Sequence, residues 1–128
     1  MERGHGLIDE LVVCIFSCDR AFQLEATIRS FRMHVRDAEA VQLVVLYCAS
    51  NAHHAQQYAR LAASHAGVRF VQEREFRSDL FALLASFQLV MFVVDDTLFT
   101  RPFSLSMVAD LLICDTRALG FSLRLGAW

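Results

Sequence analysis

Apolar residues gather in four short runs, at residues 11–16, 41–47, 68–71 and 89–94. Each is too short for a buried helix and rich in Val, Leu and Phe. Unbroken rather than alternating runs of this kind predict parallel strands covered on both faces. Between the runs the apolar positions fall into helical spacing. Leu24, Ile28, Phe31 and Val35 step by four, three and four and so share one helical face; Ala55, Tyr58, Leu61 and Ala62 repeat the pattern. Phe76, Leu80, Leu84 and Phe87 mark a third helix. Asn51 is a fitting N-cap for the second helix and Gly67 a fitting stop after it. Beyond the fourth run, Pro102 permits a turn, residues 104–114 read as helical, and 119–125 as a last strand.

Strand and helix patterns thus alternate as β-α-β-α-β-α-β. That order predicts right-handed crossovers and an open, mostly parallel α/β sheet with helices on both faces. No linker or repeat divides residues 1–128, so a single domain is expected. If the strand order is 3-2-1-4, the ligand crevice of such a sheet lies between the carboxyl ends of the first and fourth strands.

Two polar clusters lie at those ends. The fourth run, Leu89 to Val94, leads directly into the adjacent acids Asp95 and Asp96, and the first is followed by Ser17, Cys18, Asp19 and Arg20. Neighbouring residues in extended chain point to opposite sides, so one acid should face the cleft and the other lie behind it. A hard cation such as Mg²⁺ needs only one or two carboxylates when substrate phosphates complete its shell. Arg20, before a helix, could pair with a phosphate assisted by the helix N-terminus. Taken alone, Asp95 and Asp96 could be solvated acids at a strand end, and Asp19 and Arg20 a helix cap or a structural ion pair.

Composition narrows the function classes. All 12 basic residues are Arg, scattered along a chain with 14 acids and a formal charge of −2, which excludes the clustered basic face of a nucleic-acid binder. Apolar runs of about six residues fall far short of the roughly 20 needed to cross a bilayer. The first residues lack the apolar core and cleavage site of a signal peptide, so a cytoplasmic location is expected. Cys14, Cys18, Cys48 and Cys114 are expected as reduced thiols, since three lie in or beside apolar segments and no C-x-x-C pair occurs. Adjacent His53 and His54 lie about 100° apart on a helix, unlike a metal-binding i, i+4 pair. Glu73, Arg74, Glu75, Arg77 and Asp79 read as a salt-bridged polar turn, with contact to a bound donor as the alternative.

The run from Phe16 to Leu24 after the first strand resembles the opening of GT-A-fold glycosyltransferases of the family-two type, many of which carry a Ser/Thr-x-Asn/Asp-Arg-Pro segment there. Val94-Asp95-Asp96 resembles their DxD-like acidic motif, and Phe121-Ser122-Leu123-Arg124-Leu125-Gly126 is similar to a later segment of some bacterial members. The chain departs from the pattern in having Val94 where many members have an acid, Ala21 where Pro is usual, and no Asp among residues 47–51. The resemblance implies Mg²⁺ or Mn²⁺ on Asp96, holding the diphosphate of a UDP- or GDP-sugar. Asp95 would face the ribose or the metal shell, with Ser17, Asp19 and Arg20 lining the nucleotide pocket. Family members continue into an acceptor-binding half that supplies the general base. This chain stops at Trp128, and neither Asp110 nor Asp115 fills that role, so the resemblance implies a truncated donor-binding half, its acceptor and catalytic residue unknown. A missing half would leave apolar surface at the sheet edge and favour self-association.

Other readings stand beside this one. Val93 to Leu98 faintly resembles the strand motif of haloacid-dehalogenase-type phosphatases, but Thr97 occupies the position of the second acid and the chain has no Lys for phosphate. A receiver domain would need acids after the first and third strands and a late Lys. A catalytically inactive α/β interaction or structural domain derived from a glycosyltransferase is the remaining alternative.

Overall fold

A computed structural model of the chain describes residues 6–123. A short helix α1 (Gly6–Asp9) leads into β1 (Leu11–Cys18), α2 (Ala21–His34), β2 (Gln42–Cys48), α3 (Ala52–Ser64), β3 (Arg69–Gln72), α4 (Phe76–Leu84), β4 (Leu89–Val94) and α5 (Leu105–Cys114). The strands form one parallel sheet in the order β3-β2-β1-β4. This is an open α/β, Rossmann-like architecture of the GT-A kind.

The unbroken apolar runs follow from burial on both faces. Val13 and Ile15 of β1 join Leu43, Val45 and Val93 beneath Leu24, Ile28 and Phe31 of α2 and Tyr58 and Leu61 of α3. Val12 and Cys14 point the other way, joining Val44 and Leu46 under Leu80, Leu83 and Leu84 of α4. Side chains from Val12 to Ile15 therefore alternate between two cores along β1, and this stretch carries no polar residue. Asn51 caps α3 as expected, its side chain accepting from the His54 N–H at 2.9 Å. That helix ends at Ser64, three residues before Gly67.

The structure corrects two expectations here. Residues 119–123 form no strand, with Leu119 fully exposed; residues 124–128, including the rest of that expected strand and of the Phe121–Gly126 segment, lie outside the described residues. The polar stretch after β3 is a hydrogen-bonded turn rather than a salt-bridged one. Asp79 accepts from the Arg74 and Glu75 N–H groups at 2.7 and 3.0 Å, and Glu75 caps α4 by accepting from Ser78 N–H at 2.8 Å. Direct hydrogen bonds to backbone satisfy the free N–H groups of a helix start, which a side-chain ion pair would leave unmet.

A cap invisible in the local sequence fixes α5. Asp37, 68 positions before Leu105, accepts from the N–H groups of Leu105 and Ser106, both at 2.9 Å, and from the Ser104 hydroxyl at 3.2 Å. Burial pushes its carboxyl upward, but the two backbone hydrogen bonds prevail and hold it below the usual Asp value. A carboxyl held low in the folded state adds stability above the unfolded pKa of about 4 and loses it as pH falls through the folded value. Asp37→Ala is expected to cost about 1–2 kcal/mol near neutral pH. In thermal unfolding, the gap between parent and variant should close in acid; a gap that persists there would show another origin.

Candidate functional site

The carboxyl ends of β1 and β4 lie side by side, because β1 pairs with β4 over Leu11↔Leu89 to Phe16↔Val94. This register brings Ser17 beside Asp95 across 78 residues of sequence, and the Ser17 hydroxyl donates to Asp95 Oδ2 at 2.9 Å. The two polar clusters thus meet at the crevice expected of this strand order. It holds about 490 Å³, walled by Phe16, Ser17, Cys18, Arg20, Leu46, Glu73, Phe76, Val94, Asp95 and Asp96.

Asp95 and Asp96 face different surroundings, as strand alternation requires. Asp95 is 6% exposed and both its carboxylate oxygens are engaged: Oδ2 by Ser17, Oδ1 by the Arg20 guanidinium at 3.6 Å. Its backbone carbonyl accepts from the Thr27 hydroxyl at 2.9 Å, tying the end of β4 to α2. Asp96 is exposed, and its side chain has no hydrogen bond or ion pair among the described residues.

Tyr58, which the sequence pattern marks simply as a core position of α3, organises the inner side. Since the Ser17 hydroxyl gives its one proton to Asp95, the 2.6 Å contact between Ser17 and Tyr58 must run from the Tyr58 hydroxyl to Ser17. The Tyr58 oxygen in turn accepts from Arg20 N–H at 3.0 Å. A directed chain therefore runs from Arg20 N–H through Tyr58 and Ser17 to Asp95. Burial raises the Tyr58 pKa, with the Asp95 charge adding to it against its hydrogen bonds with Ser17 and Arg20, so the phenol keeps the proton the chain needs. A buried Tyr seldom leaves its hydroxyl unpaired, the one signal in the sequence that could have drawn attention to this residue.

Asp19 neither caps α2 nor points into the chain just described. It sits at φ 57°, a left-handed conformation that Asp tolerates better than most residues. From there its N–H donates to Cys48 O at 3.1 Å and its Oδ1 accepts from Ser50 N–H at 2.8 Å. The hydrogen bonds from Ser50 hold its carboxyl below the usual Asp value. The exits of β1 and β2 are thereby joined beside the crevice.

They are also joined covalently. Cys18 and Cys48 form a disulfide, Cα to Cα 4.6 Å apart, which overturns the expectation that both are reduced. That expectation weighed spacing along the chain, whereas β1 and β2 pair with Cys18 directly beside Cys48. Cys14 and Cys114 remain free; burial pushes the Cys14 thiol up to about 11, leaving it unreactive.

His53 is exposed and lies next to His54, away from any metal cluster, and among the described residues no three His, Cys, Asp or Glu side chains converge to hold an ion. Asp110 is exposed on α5, and Asp115 faces Arg117 at 3.6 Å. The carboxylates that line the crevice without a side-chain hydrogen bond or ion pair among the described residues are Asp96 and Glu73, beside a half-exposed guanidinium, Arg20.

No family model matches the chain. It is 32% identical over 123 residues to the bifunctional glycosyltransferase pgtA of Dictyostelium discoideum, a match that takes in 89% of this chain and 16% of that protein. The chain thus spans a small part of that relative's length. No helix among the described residues is long and apolar enough to cross a membrane. Topology and similarity together give a Rossmann-like parallel-sheet fold consistent with the GT-A superfamily.

Proposed function

We propose that residues 1–128 form a nucleotide-sugar-binding domain that takes a UDP- or GDP-sugar at the carboxyl ends of β1 and β4, for sugar transfer to an acceptor. The observation that carries this reading is the division of labour between the two acids. Asp95 is consumed in holding the crevice wall, while Asp96 stands free at its mouth. One or two free carboxylates, Asp96 with Glu73 across the crevice, fit Mg²⁺ or Mn²⁺ in the mode where the ligand's own phosphates complete the coordination shell, and they do not make a cage of protein alone. Such an ion, when bound, offsets the charge that develops on a departing nucleoside diphosphate. Arg20, half-exposed at the crevice wall, would pair its guanidinium with a phosphate oxygen. Ser17, Asp19 and Asp95 act by shaping the pocket, since each spends its polar atoms within the protein. The name of the similar Dictyostelium protein supports the same reaction class.

Calorimetric titration with UDP, GDP and their sugars, with and without Mn²⁺, tests the reading. Metal-dependent binding is expected, weakened by Asp96→Ala by about tenfold to hundredfold with unchanged thermal stability. Absence of nucleotide binding by the folded chain would overturn it. The reading that then remains, an inactive interaction or structural domain, is favoured by one observation: neither Asp110 nor Asp115 is among the residues that wall the crevice.

A further inference from the structure

The bridge between Cys18 and Cys48 has two unlike ends. Cys18 is exposed and walls the crevice, whereas Cys48 is half-buried and is not among the crevice residues. Strand order gives this difference a direction. In thiol–disulfide exchange the attacking thiolate enters on the side of a sulfur opposite the sulfur it displaces. The strands lie in the order β3-β2-β1-β4, so a thiolate that displaces Cys48 from Cys18 comes over β1 from the side of β4, through the crevice. Attack on Cys48 would come from the other side. There the exit of β3 is tied to β2 by the Glu73 N–H, which donates to Tyr47 O at 2.7 Å.

The charges in the crevice wall select among thiols. Asp95, Asp96 and Glu73 stand against one guanidinium, Arg20, which Asp95 already pairs. Two carboxylates are left uncompensated, and their field draws a cationic reagent and repels an anionic one. Cys14, on the same face of β1, is fully buried and does not compete.

We propose that Cys18 is a modification site for small cationic thiols, which enter the crevice, form a mixed disulfide there and release the tie between the exits of β1 and β2. The incoming thiolate forms a bond to Cys18 Sγ. The bond to Cys48 Sγ breaks, and Cys48 leaves with the electron pair as a thiolate. A second thiolate that attacks the added sulfur releases a small-molecule disulfide and leaves Cys18 reduced; return attack by Cys48 instead closes the bridge again. While attached, the added group fills part of the 490 Å³ space. Its competition with a nucleotide rests on the ligand reading above, and the exchange itself does not.

Reduction of the intact bridge tests this in the full chain carrying Cys114→Ser, which removes an exposed thiol. Bridge loss is followed by acid quench, alkylation and mass spectrometry, with cysteamine as the cationic thiol and mercaptopropionate as the anionic one. Each rate is divided by that for the same bridge in the urea-unfolded chain, which cancels the reagent's own reactivity. Cysteamine should then be favoured by about three- to tenfold at low ionic strength, with the preference fading in molar salt. Equal rates, or a preference for the anion, would overturn the proposal. On the same background, Cys48→Ser leaves Cys18 free and Cys18→Ser leaves Cys48 free. Offered cystamine, the oxidised form of cysteamine, Cys18 should take up one group at least about tenfold faster than Cys48; equal uptake by folded chains would also overturn it. Should either variant fail to fold, the intact bridge still decides. UDP with Mn²⁺, where calorimetry shows it bound, should slow exchange in step with occupancy. Nucleotide that binds without slowing exchange would refute the route through the crevice, whereas a chain that binds no nucleotide would strike the ligand reading alone.

Discussion

Asp95→Ala is expected to lower the unfolding free energy by about 3 kcal/mol, the largest loss from any single polar substitution in the crevice. The substitution removes two partners at once. Ser17, 7% exposed, loses the acceptor for its hydroxyl, and Arg20 loses the charge beside its guanidinium. The Arg20 side chain is 46% exposed, so water compensates much of the second loss and the ion pair adds little. Most of the effect therefore comes from the buried hydroxyls, whose direction is fixed from Tyr58 to Ser17 to Asp95. Tyr58→Phe should cost less, about 1–2 kcal/mol, because Ser17 keeps Asp95. Coupling between Ser17→Ala and Asp95→Ala should be large, since either one breaks the same chain. Urea unfolding followed by circular dichroism measures all of these. Asp96→Ala serves as the internal control and should fall within about 0.5 kcal/mol of the parent. Equal losses at Asp95 and Asp96 would mean that the two acids are not divided in the way their surroundings indicate.

The same division explains how much of the site could be read from the chain. Alternation along a strand requires adjacent acids to differ, and a strand order of 3-2-1-4 brings residues 17–20 to residues 95–96. Both expectations needed only periodicity and connection rules, which act over short stretches or over whole elements. What could not be read were contacts that depend on register and on the tilt of helices. Tyr58 sits at a core position by spacing, and nothing local says that its hydroxyl reaches across to Ser17 and Arg20. Asp37 caps a helix that begins 68 positions later, a link made by packing α5 near the end of α2 rather than by any motif. Likewise Thr27 falls on the buried face of α2 yet spends its hydroxyl on the Asp95 carbonyl, a contact set by how α2 crosses β4.

The strand ends show the limits of pattern in another way. The apolar run ending at Phe16 predicts a strand that stops there, but β1 continues through Ser17 and Cys18 because β2 supplies pairing as far as Cys48. Hydrogen bonding to a neighbour carries a strand past the end of its apolar signal. That extension is what sets Ser17 at the wall of the crevice and Cys18 against Cys48.

Removing the Cys18–Cys48 bridge, by Cys18→Ser with Cys48→Ser or by a dithiol reductant, is expected to cost about 3.5 kcal/mol. The bridge spans a separation of 30 residues. A loop of that length gives up much of its freedom in the unfolded chain when closed, and the figure follows from that chain-entropy relation as an upper value. The bridge encloses α2 and most of β2, so the constraint acts on half of the core rather than on a surface loop. Locally it reinforces two hydrogen bonds between the same strand exits, Asp19 N–H to Cys48 O and Ser50 N–H to Asp19 Oδ1. Loss of the bridge should therefore appear first as faster amide exchange at Asp19 and Ser50, ahead of global unfolding. Alkylation of the unfolded, unreduced chain should find Cys14 and Cys114 and spare the other two. Cys18 is exposed, so a reductant can reach the sulfurs without prior unfolding. Alkylation of all four cysteines, or an unchanged unfolding midpoint after reduction, would refute the bridge. A bridge that forms and stabilises the chain would also weigh against the cytoplasmic location expected from its first residues, because thiol pools there keep accessible disulfides reduced.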